Sequence, residues 1–99
     1  MDINNIQKIK EIVAKIDTEK IANYPEHPQS LTLRQIIEYK KRIIDSSNEK
    51  EIFRLTIKMA YKLEMIVNRV NYVKDEAEKK HLLEISEELF MNTKGPLKK

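Results

Sequence analysis

Ninety-nine residues, 40% apolar and 35% charged, supply one hydrophobic core and a mild net charge of +3. The absence of cysteine excludes a disulfide frame and a thiolate metal site. A single glycine, with no Asn-Gly or Asp-Gly pair, excludes the tight turns of a small sheet protein, so the chain is expected to be all-α.

The opening stretch, MDINNIQKIKEIVAKI, lacks the apolar centre of a signal peptide, and no uncharged run approaches a transmembrane length. The chain therefore reads as soluble and cytoplasmic. Ile6, Ile9, Ile12, Val13 and Ile16 recur at helical spacing, with Lys8, Lys10, Glu11 and Lys15 on the other side. The rhythm slips between Ile16 and Ile21, where Asp17 or Thr18 can cap a short second piece before Tyr24. Pro25 and Pro28 then impose extended geometry on the residues before them.

In LTLRQI the expected N-cap is Thr32, with Gln35 completing a capping box and Leu31 stapled to Ile36. The helix continues through Ile43 and Ile44 with Lys40, Lys41 and Arg42 turned outward, and the polar DSSN segment stops it. Asn48 and Glu51 form a second capping box. Behind it Ile52, Thr56, Met59, Leu63, Ile66, Val70 and Val73 trace one seam, which Phe53, Ile57, Ala60 and Val67 widen. So broad an apolar arc predicts a central helix with partners on two sides. Arg54, Lys58 and Lys62 step by four along its solvent seam.

A turn over 71–74 should separate this helix from a last one over 75–91, opened by Asp75 with Glu78 and burying Ala77, Leu82, Ile85 and Leu89. Residues 92–99 read as a disordered basic tail. The expectation is a single domain over 1–91, an antiparallel up-and-down four-helix bundle. The alternative is three long helices, with 50–91 continuous and a dimer partner supplying the fourth.

Residues 50–73 carry five basic groups against two acidic ones, whereas residues 75–90 carry six acidic groups against two basic ones. That contrast predicts two helices lying alongside each other. The acidic helix would neutralise the basic strip, which argues against a nucleic-acid partner. No serine has a histidine and an acid in a nucleophile pattern. Glu78 and His81 have the i, i+3 spacing of a carboxylate-bridged metal bundle, but no second copy exists, so no metal or cofactor is expected. Glu84, Glu87 and Glu88 read as the wet face of the last helix. The lysine tail and exposed cations can assist contact with an anionic membrane surface.

From SLTLRQIIEYKKRIIDSSNEKEIFRL through ISEELF, the order of helix, polar link, apolar central helix and final amphipathic helix resembles the immunity proteins of class IIa bacteriocins. The resemblance covers residues 30–90 and is architectural. It implies a non-enzymatic role inside the producing cell. The protein would engage a membrane sugar-transporter receptor with its bound bacteriocin and so block the lethal pore. Because the C-terminal half sets recognition in that family, the resemblance implies Tyr72, Lys74, Lys79, Lys80, His81, Lys94, Lys98 and Lys99 as partner contacts. Two other readings stay open: a small nucleic-acid-binding subunit of a bacterial or phage defence complex, and a dimeric protein-interaction domain.

Overall fold

The computed structural model describes the backbone of residues 3–94 and the side chains of 5–93. All regular structure among them is helical: α1 (Ile3–Ala14), α2 (Thr18–Ala22), α3 (Leu31–Asp45), α4 (Glu49–Glu64) and α5 (Glu76–Lys94). A 3₁₀ turn at His27–Gln29 precedes α3, so His27 is in a helical turn and not extended before Pro28 as expected, and a π-helical turn at Met65–Arg69 extends α4.

The helix ends follow local chemistry, with exceptions. The Asp17 carboxylate accepts from the Lys20 N–H at 3.1 Å and starts α2, so the slip in spacing becomes a break. Lys40 is not turned outward as expected. Its ammonium reaches across from α3 to the Ile16 carbonyl at 2.6 Å, just past the end of α1. Thr32 is not the cap of α3 either: the hydroxyl of buried Ser30 accepts from the Leu33 N–H at 3.1 Å. Leu31 is then the first helical residue, 60% exposed, and no staple to Ile36 forms.

Asn48 caps α4 through the Glu51 N–H at 3.0 Å. The reciprocal half of the box is replaced, because Ser46 Oγ accepts from the Asn48 N–H while Glu51 turns to Arg42 and Ser46. Asp75 accepts from the Glu78 N–H at 2.9 Å and opens α5.

α4 lies between α3 and α5, as its wide apolar arc predicts, and α1 also contacts both α3 and α5. The side-chain contacts pair opposite ends of neighbours. Asn5 of α1 meets Asn92 near the end of α5, while Lys20 and Tyr24, beyond the end of α1, meet Glu78 near its start. Thr32 touches Met65, whereas Arg42 bonds Glu51. The core is one cluster in which Ile9, Ile36, Ile52, Met59, Leu63 and Leu89 have no solvent exposure. At the α4–α5 contact the Ser86 hydroxyl donates to the Ala60 carbonyl at 2.9 Å, and both residues are buried. Small side chains there let the two backbones approach.

The seam of α4 departs from expectation at its end. The Val70 N–H donates to the Met65 carbonyl, an i→i−5 bond of 3.0 Å, and the Tyr72 N–H donates to Ile66 at 2.9 Å. Asn71 adopts φ 54°, a left-handed conformation that asparagine tolerates. The widened turn carries Val70 out to 42% exposure and returns Val73 to the core. Residues 50–91 are thus not one continuous helix, which removes the three-helix alternative. Ala77 is exposed rather than buried, and α5 runs past the expected end at 91 to Lys94, with Thr93 only 2% exposed. Residues 95–99 of the expected tail lie outside the described residues.

Candidate functional site

The turn after α4 and the first turns of α5 gather five of the residues implied by the resemblance. Tyr72 is half-buried against the core, and Lys74 bonds the Asn71 carbonyl at 2.7 Å. Lys79 is half-buried and pairs with Glu76 at 3.3 Å, while Lys80 and His81 are exposed. Lys79 and Lys80 border a groove of about 400 Å³ together with Val67, Asn68, Leu83 and Glu84. Lys94 is not part of this group. It ends α5, about 27 Å along the helix from Glu76 at 1.5 Å per residue. Lys98 and Lys99 lie outside the described residues.

The sequence missed what Glu78 does. Its carboxylate, with a side chain 12% exposed, accepts from the Lys20 ammonium at 2.9 Å and the Tyr24 hydroxyl at 3.2 Å. It thereby ties α2 and the chain beyond it to α5 instead of facing His81. Among the described residues no three His, Asp or Glu side chains converge as a metal would need.

Burial raises the Tyr24 hydroxyl well above its ordinary value, and the Glu78 charge and hydrogen bond add to the shift. Lys20 is also raised, first by its hydrogen bond to Glu78 and then by that charge. Both groups hold their protons more tightly folded than unfolded. The stability they contribute is complete below about pH 10 and drains away as pH rises through the folded values. Tyr24→Phe should therefore abolish the late-ionising component of the ultraviolet phenolate titration and reduce the pH dependence of alkaline unfolding. An unchanged titration curve would refute this placement of Tyr24.

A second region lies on α3 and α4. An open groove of about 1010 Å³ follows the outer side of α3, bordered by Thr18, His27, Arg34, Ile37, Lys41 and Ile44. On α4, Arg54 and Lys58 are exposed and Lys62 is half-buried, which places the strip on the solvent seam the sequence indicated. Among the described residues no ion pair joins the α4 cations to α5, although Glu76, Glu84 and Glu87 border the groove with Val67 and Asn68 at the end of α4. α5 does lie alongside α4, but Glu88 pairs with Lys15 at 4.0 Å and Glu78 with Lys20, both across the other side of α5. The ammonium groups of Lys58 and Lys62 make no hydrogen bond or ion pair among the described residues. Arg42 and Ser46 hold the Glu51 carboxyl below its ordinary range, with a smaller contribution from Arg54.

No described helix is long and apolar enough to cross a membrane. No protein family, curated relative or solved structure matches this chain.

Proposed function

We propose that this chain is a bacteriocin immunity protein of the class IIa kind. On this reading it is cytoplasmic, and it protects the cell by binding a membrane sugar-transporter receptor that already carries the pore-forming peptide. The observation that carries the reading is the cationic strip of α4, whose Lys58 and Lys62 form no ion pair among the described residues, on a closely packed all-helical body. A surface of this kind acts by touching another macromolecule rather than by chemistry on a small substrate. The fold belongs to the same reading: α1, α3, α4 and α5 form an antiparallel up-and-down bundle, with α2 as a short addition to the first helix.

The contacts implied by the resemblance divide between two places, the turn with the start of α5 (Tyr72, Lys74, Lys79, Lys80 and His81) and the far end of the chain (Lys94, Lys98 and Lys99). Recognition of the receptor–peptide complex is assigned to the first group. Expression of the chain in a sensitive strain should raise resistance to one class IIa peptide, while the purified protein should not bind the free peptide. Unchanged killing across a panel of such peptides would overturn the proposal.

A further inference from the structure

We infer that the face shared by α3 and α4 is a docking surface for an anionic lipid bilayer; the choice of a bilayer rests on the proposed role beside a membrane receptor. The cations at 54, 58 and 62 rise about 6 Å apart along α4. Two of the six acidic groups of residues 75–90, Glu88 and Glu78, are turned toward Lys15 and Lys20, and none forms an ion pair with Lys58 or Lys62 among the described residues. Lys58 and Lys62, which no carboxylate of the described residues pairs, attract an anionic surface, with about 1 kcal/mol per cation near the headgroups.

Two apolar features accompany the strip. Leu31 is 60% exposed, and helical spacing places it on one edge of α3 with Gln35 and Arg42, the edge that bonds Glu51 of α4. Tyr61, 58% exposed, sits one position from Lys62, and Phe90 braces its ring at 4.9 Å in an edge-on arrangement. Cations beside an exposed leucine and an amphipathic phenol match the mixed chemistry of the headgroup layer. Glu38 and Glu51 are close by on the same two helices and keep the attraction weak and salt-sensitive. Two helices lying side by side offer no projecting element to enter a nucleic-acid groove.

The test is cosedimentation of the full chain with vesicles containing about 30% phosphatidylserine, against neutral phosphatidylcholine vesicles, at about 50 and about 300 mM salt. Binding should require the anionic lipid and fall at the higher salt. Lys58→Glu with Lys62→Glu should weaken it roughly tenfold or more with the helical circular dichroism unchanged. Lys98→Gln with Lys99→Gln separates the tail from this face and should retain most of the binding. The inference is overturned by equal binding to neutral vesicles, by a Lys58/Lys62 variant that binds like the parent, or by retention on oligonucleotides without retention on vesicles. Loss of vesicle binding in the Lys58/Lys62 variant, in a chain that confers no resistance on sensitive cells, would remove the immunity proposal and leave the lipid face standing.

Discussion

Leu63→Ala is expected to destabilise the protein by about 2–5 kcal/mol, a large part of the roughly 5–15 kcal/mol that holds a domain of this size together. Leu63 lies within α4, the helix that contacts both α3 and α5, and it has no solvent exposure. Truncation removes its transfer free energy and leaves a cavity that three helices cannot close without shifting. The measurement is a urea transition, with the midpoint falling and the slope unchanged. Leu31→Ala is the control. The same chemistry at a 60% exposed position should stay within about 0.5 kcal/mol. Similar losses at both positions would contradict the placement of α4 at the centre.

Ser86→Leu tests the α4–α5 contact from the opposite direction. Ser86 is 4% exposed, faces fully buried Ala60, and donates to its carbonyl at 2.9 Å. A leucine has no room there, and overpacking typically costs about 1–3 kcal/mol beyond the lost hydrogen bond of about 1 kcal/mol. Ser86→Ala removes the hydrogen bond and adds no volume, so its loss should be about 1 kcal/mol and clearly smaller. A leucine variant as stable as the alanine variant would mean that the two helices are not in close approach. Thermal unfolding distinguishes the outcomes, since 1 kcal/mol moves the midpoint by about 4–8 °C in a domain of this length.

Much of the fold was legible because its signals are local. Asn48 and Asp75 each cap the helix that their spacing to the next residues indicated, and Asp17, one of two candidates there, caps α2, since a cap requires only a side chain and an N–H three residues on. Thr32 was expected to cap α3 and does not, because Ser30 satisfies the same local requirement. The 3₁₀ turn before α3 and the burial of Ser30 selected the earlier residue. Ala77 was assigned to the wrong face for a geometric reason: it precedes Ile85 by eight residues, which is about 80° around the helix. The candidate site was less legible still. That Glu78 would meet Lys20 and Tyr24 depends on residues more than fifty positions apart, beyond the reach of any spacing rule.

By itself the sequence determined an all-helical chain, the breaks near 17, 46 and 71, and the central place of the helix that follows Asn48. It could do so because hydrophobic period, caps and turn residues act within a few positions of one another. Only the tertiary structure decided which charges meet. Ion pairing depends on which faces of distant helices are brought within about 4 Å, and a count of charges along the chain cannot specify that. The acidic helix does lie beside the basic one, yet two of its carboxylates face Lys15 and Lys20, and no ion pair joins it to Lys58 or Lys62 among the described residues.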